Sequence, residues 1–159
     1  MGVVANYNIY FGSVGWQHAQ WQTSFYPDNL PEDWQLSYYN TQFRCVYLPC
    51  ALWLNRTLNV AESWVADTQA NFRFILEVPD TLNQQSRQFL EAMDERVIQD
   101  DAKPIDPQLF WFPPEPDLRL LRHEIQNAVD QGRDLYLLNR EAHLPSLDKV
   151  RSLVEVMGY

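Results

Sequence analysis

Short apolar runs alternate with longer amphipathic stretches along this chain, and that alternation limits the fold more than any other feature. The runs are Asn8–Gly12, Cys45–Pro49 (extending towards Trp53), Phe72–Val78, Leu109–Phe112 and Leu135–Leu138. Each is short and rich in aromatic, aliphatic or β-branched residues, as strands are. Between them lie helical patterns. Pro31 stands at a helix start, followed by Leu36, Tyr39 and Phe43 at spacings of three and four. Asn59 and Glu62 read as a capping pair ahead of the stripe Val60, Ala61, Trp64 and Val65. Phe89, Leu90, Met93 and Val97 mark a third helix, and the polar stretch 99–107 then reads as a loop. Asp117 caps a fourth helix with Leu118, Leu121, Ile125, Ala128 and Val129 on one face, and Gly132 ends it. Pro145 opens a fifth, carrying Leu147, Val150, Leu153, Val154 and Met157.

Apolar strands in strict alternation with helices imply a parallel sheet. The expected fold is therefore α/β, with a parallel sheet of about five βα units. Two architectures fit: an open doubly wound sheet, or a β/α barrel lacking its last three units. In both, ligands bind at the C-terminal ends of the strands. At 159 residues the chain reads as one domain over 1–159, and an aromatic content of 14% gives it ample core material.

A formal charge of −9, without a cluster of five or more Lys and Arg, disfavours a nucleic-acid backbone as partner. No apolar stretch is long enough to span a membrane and no signal-peptide pattern opens the sequence, so a soluble cytoplasmic protein is expected. Cys45 and Cys50 form no CxxC pair, and their odd separation would put them on opposite faces of a strand, so they are expected to stay reduced.

Candidate chemistry gathers around the loop Phe11–Trp21, "FGSVGWQHAQW". Gly12 and Gly15 permit a tight strand-to-helix turn, but neither GxGxxG nor GKS/T is present, and no cofactor is expected. Ser13 lacks a GxSxG elbow. Trp16 and Trp21 offer faces for stacking, and His18 offers an imidazole. His18 and His143 with Glu77 or Glu141 would make a metal trio, but the spacing follows no motif and no metal is expected.

"IYFGSVGW" (9–16), Trp21, "FYPDNLP" (25–31), Phe72–Phe74 and "LFWFPP" (109–114) together resemble the YecE-like family of unknown function (domain of unknown function seventy-two). The resemblance implies a TIM-like β/α barrel in a shortened, divergent member. It also implies lost polar groups at the strand ends. Tyr47 and Pro49 stand where the family has Glu and Asn, Glu77 where it has Lys, and Trp111 where it has Gln. Tyr136 and Leu138 replace a Glu and an Arg, and Val14 replaces a Ser of the turn.

If Glu77 faces the barrel interior as its family counterpart would, strand parity puts Arg73 and Ile75 on the same face, and the same resemblance implies that Tyr10, Tyr47, Trp111 and Tyr136 face inward too. Five strands cannot close a barrel. Aromatic side chains of roughly 150–250 Å² each would then be wet, a patch that monomers rarely expose. Cover by a second copy in a homodimer, by another partner, by the chain's own loops, or by flattening into a two-sided sheet with helices on both sides follows. The functional expectation is a catalytically degenerate protein acting by ligand binding or assembly, using Gly12, Ser13, Gly15, Trp16, Trp21, Tyr47, Arg73, Trp111 and Tyr136. The alternative is a small hydrolase of a phosphate- or sugar-containing substrate. Glu77, with its pKa raised among aromatics, and His18 would be its catalytic groups, with His143 as a substitute for His18. The bland reading of Glu77 is an ion pair with Arg73.

Overall fold

The computed structural model describes residues 9–101 and 108–159. Its strands are β1 (Ile9–Ser13), β2 (Cys45–Leu48), β3 (Arg73–Glu77), β4 (Val97–Asp100), β5 (Leu109–Trp111) and β6 (Leu135–Asn139). The helices are α1 (Gln35–Gln42), α2 (Cys50–Trp53), α3 (Leu58–Ala66), α4 (Gln84–Met93), α5 (Leu118–Asp130) and α6 (Leu144–Val156). All strand pairings are parallel, in two three-stranded sheets ordered β1-β6-β5 and β2-β3-β4. The α/β class and the parallel sheet follow the sequence pattern. Neither sheet is closed.

The strand count corrects the sequence reading. Val97 does not continue the stripe of α4. The helix stops at Met93, and Asp94 turns the chain with φ of 50°. Val97 then pairs with Phe74 and Asp100 with Glu77, so residues 97–100 are a strand and not a helix end and loop. Residues 102–107 of the expected loop lie outside the described residues. The second apolar run also divides: β2 ends at Leu48, and Cys50–Trp53 is the short helix α2. Thr57, not Asn59, occupies the start of α3, and no side-chain cap forms there. Asp117 does cap α5, accepting the N–H groups of Arg119 and Leu120. Gly132 follows α5 at φ of 66°, the left-handed conformation that glycine adopts without Cβ strain.

The first and last strands are neighbours, Ile9 opposite Leu135 and Ser13 opposite Asn139. An unclosed barrel lacking its final units would have set them at opposite edges; here β4 and β5 end the two sheets. The sheets meet between β1 and β2. The Arg44 N–H donates to Phe11 O at 3.1 Å, and Gly15 N–H to Tyr47 O at 2.9 Å. Midway, the Tyr39 hydroxyl accepts from Ser13 N–H at 2.8 Å and donates to Cys45 O at 2.7 Å. A Cβ at Gly12 would lie 1.8 Å from Cys45 O and 2.7 Å from that hydroxyl, so only glycine fits the seam.

Alternation along the strands creates two cores. Phe11, Val46, Phe74, Leu76 and Leu137 point outward and pack with the helices around Trp21, Tyr39, Phe43 and Phe89. Tyr10, Cys45, Tyr47, Ile75, Tyr136 and Leu138 form the second cluster on the opposite face, with Trp111 against it. The parity expected for Tyr10, Tyr47, Trp111 and Tyr136 is therefore the observed one. Their expected exposure is not: Tyr10 is 3% exposed, Tyr47 5% and Tyr136 1%. The rings fill the interior themselves, Tyr10 stacking on Tyr136 at 4.6 Å and Trp111 meeting Tyr47 edge-on at 5.0 Å. The area argument for a partner on this face falls away, because the side chains that motivated it are already dry.

Candidate functional site

Two regions lie near the C-terminal ends of the strands. The first is the interior mouth, where β2, β3, β4 and β5 deliver Tyr47, Glu77, Asp100 and Trp111. Tyr47 donates its hydroxyl to Asp100 Oδ2 at 2.6 Å, and burial, reinforced by that carboxylate, raises the phenol's pKa. The Arg140 guanidinium, just past β6, lies 4.0 Å from the centre of the Trp111 ring. This cation–π contact laid on an aromatic pair caps the interior.

Glu77 sits beside this cap and has a structural partner. Its Oε1 accepts the Cys50 N–H at 2.9 Å at the start of α2, while its own carbonyl accepts the Cys50 thiol at 3.3 Å and the Trp53 indole N–H at 2.9 Å. The Cys50 backbone bond first, then the Cys50 side chain and the Arg140 charge, hold the carboxyl below the ordinary carboxylate range. The expected raised pKa is thus reversed, because a hydrogen-bonded anion outweighs partial burial. The ion pair with Arg73 is also absent. Arg73 begins β3 and Glu77 ends it, roughly 13 Å apart at the rise of a strand, and Arg73 donates instead to Ala70 O and Phe72 O. Burial and the neighbouring Glu77 push the Cys50 thiol up to about 11, which keeps it protonated and unreactive at neutral pH.

The second region is a groove of about 360 Å³ beneath the opening loop. Gly15 makes it, turning the chain at φ of 68° so that Trp16 swings over α3. Trp16 and Trp64 meet edge to face at 5.1 Å in its wall, and Leu48, Leu52, Glu32 and Arg56 are among the other lining groups. His18 also lines it; its Nε2 lies 3.3 Å from Gly15 O, and burial lowers its pKa. A wider hollow of about 840 Å³ shares Gln17, His18 and Glu32 with this groove and is otherwise walled mostly by loop residues such as Gln22, Thr23, Asp28 and Asn29.

The remaining sequence candidates divide between these regions and the core. Gly12 is in the β1–β2 seam. Ser13 is fully buried and donates its hydroxyl to Gly15 O at 2.7 Å, fixing the turn. Trp21 is fully buried, stacks on Tyr39 and donates its indole N–H to Ala142 O at 3.0 Å, tying the opening loop to the segment after β6. Tyr136 lies in the interior and Arg73 at its opposite end. His143 starts α6, its N–H donating to Asn139 Oδ1 at 2.8 Å and its ring contacting Ser146. No hydrogen bond or ion pair joins Glu77 to either imidazole among the described residues, and no three His, Cys, Asp or Glu side chains there are grouped to hold a metal ion. No helix among them is long and apolar enough to cross a membrane. Sequence reasoning missed Asp100, Arg140, Glu32, Arg56 and Trp64 as site groups. Asp100 was hidden inside a stretch read as loop; the others carry no local motif.

The model of the protein family of unknown function DUF72 matches residues 10–156. The chain belongs to the DUF72 family. This is the YecE-like family whose turn and tryptophans were read above. The DUF72 chain is also similar in fold to a crystal structure of a DUF72 family protein from Thermotoga maritima, with a TM-score of 0.59 and 12% identity over 96% of this chain and 100% of the other. No curated protein matches the DUF72 chain.

Proposed function

We propose that this DUF72 chain is a non-catalytic binding protein, built on a reduced β/α barrel, whose ligand occupies the groove beneath the opening loop. The observation that carries this reading is the state of Glu77. The strand-end carboxylate best placed for acid–base work is held ionised as the partner of Cys50 N–H, and the interior beside it is filled by Tyr47, Trp111 and Arg140. A general acid needs a proton near neutral pH; Glu77 is held in the opposite state. The adjacency of β1 and β6 and the layered interior support descent from a barrel. The groove keeps an apolar wall and a few polar groups, the usual composition of a small-molecule pocket, within the range of roughly 300–1,000 Å³.

The test pairs turnover with binding. Aryl phosphates and aryl glycosides are incubated with the protein and with Glu77→Gln, while a small-molecule library is screened by protein-observed NMR. The expected result is no Glu77-dependent turnover, together with ligand-induced shifts centred on Trp16 and Trp64. Hydrolysis that Glu77→Gln abolishes would replace this reading with the hydrolase one.

A further inference from the structure

Glu32 and Arg56 are opposite charges that line the same apolar-walled groove without pairing with each other. Glu32 accepts the Gln17 side-chain amide at 2.9 Å and makes no ion pair among the described residues. Arg56 donates through Nε to Leu52 O at 3.2 Å, and its two terminal nitrogens reach no described group. Leu52 is 38% exposed, a large apolar side chain left partly wet at the groove's edge. An anion alone would meet Arg56 but also the Glu32 carboxylate. A cation alone would meet the reverse conflict, and a neutral apolar molecule would leave both charges unmatched. A ligand carrying both charges on a short polar head, with an apolar tail, complements the two exposed charges and the apolar wall together.

On the reading that this groove is the ligand site, we infer that it takes a zwitterion of the α-amino-acid type bearing an aromatic or branched apolar side chain. The carboxylate lies on the free end of the Arg56 fork, which suits a planar two-oxygen acceptor. The ammonium lies towards Glu32. The side chain lies against Trp16, Trp64, Leu48 and Leu52, where burial of apolar area and ring contacts provide most of the affinity. The charges at the rim set selectivity more than strength, because rim pairs are screened by solvent.

Four probes share one apolar tail and differ only in the head: L-phenylalanine, 3-phenylpropionate, phenethylamine and 2-phenylethanol. Each is titrated into the protein, Glu32→Gln and Arg56→Gln by protein-observed NMR at low salt. L-Phenylalanine is expected to bind about tenfold more tightly than 3-phenylpropionate and phenethylamine, the size of one charge-assisted contact, and more tightly still than 2-phenylethanol, which lacks both. Glu32→Gln should erase its advantage over 3-phenylpropionate, and Arg56→Gln its advantage over phenethylamine. The wild-type ranking decides the class of ligand, and the variants assign the charges. If 2-phenylethanol binds as well as L-phenylalanine, the groove stands as a site and the zwitterion inference fails. A wild-type preference that survives both substitutions overturns the roles of Glu32 and Arg56. If none of the four shifts Trp16 or Trp64, the groove reading fails, and the inference with it.

Discussion

The interior mouth and the outer groove lie close together near the strand ends, yet they solve opposite problems. In the mouth every polar group has a partner: Tyr47 with Asp100, Glu77 with Cys50, Arg140 over Trp111. In the groove, Glu32 and Arg56 have hydrogen-bond partners but no opposite charge among the described residues, and Leu52 is left partly exposed. The two parallel sheets turn an aromatic face inward, and its rings fill the space there themselves. The groove beneath the opening loop is outside that interior, because its walls come from the Gly15 turn, α2, α3 and Leu48, which sits on the outward face of β2.

Three measurements can break or sharpen this contrast. The largest effect is expected from Gly12→Ala, since both regions hang on the β1–β2 seam. The added methyl would collide with the Cys45 carbonyl, a backbone atom that cannot rotate away. The cost should be about 3 kcal/mol, at the upper end of overpacking effects, read by urea denaturation. A variant as stable as the parent would mean that the two strands do not approach as described.

An intermediate effect is expected from Trp111→Leu. Loss of the ring contact with Tyr47 and the Arg140 stack should cost about 1–3 kcal/mol, while ligand affinity in the groove stays unchanged. If affinity falls with stability held constant, the mouth and the groove are one site and the contrast collapses.

The smallest effect is expected from Glu77→Gln. A carboxyl whose folded pKa lies below its unfolded value stabilises the protein above the ordinary Glu range near 4.3. That contribution is lost as the pH falls through the lower, folded pKa. The variant should therefore be slightly less stable than the parent at pH 7, with the gap closing as the medium becomes strongly acidic. A gap that widens towards low pH would mean that Glu77 is a raised, proton-holding acid after all.

The parity of the strands was legible because the family resemblance gave one inward position on each strand and the period of two gave the rest. That parity put Tyr10, Tyr47, Trp111 and Tyr136 on one face correctly. The helix ends at Asp117 and Gly132 were legible directly, since caps depend on a few adjacent residues. β4 was not, because Val97 and Ile98 continue a helical stripe in sequence and only the three-residue turn Asp94–Arg96, entered at a positive φ, separates them from α4. Glu77 was placed at a strand end from sequence, but the sign of its pKa shift depended on the Cys50 N–H, which is 27 residues away in the chain.

By itself the sequence determined the α/β class, the parallel sense of the strands, the family and the aromatic character of one sheet face. These follow from periodicity and from local turn residues, which act over a few positions. Only the tertiary structure decided that β1 and β6 are neighbours, that the aromatics bury one another, and that Glu32 and Arg56 share a groove. Those outcomes depend on which distant segments meet, and a linear pattern of polar and apolar residues does not encode that pairing.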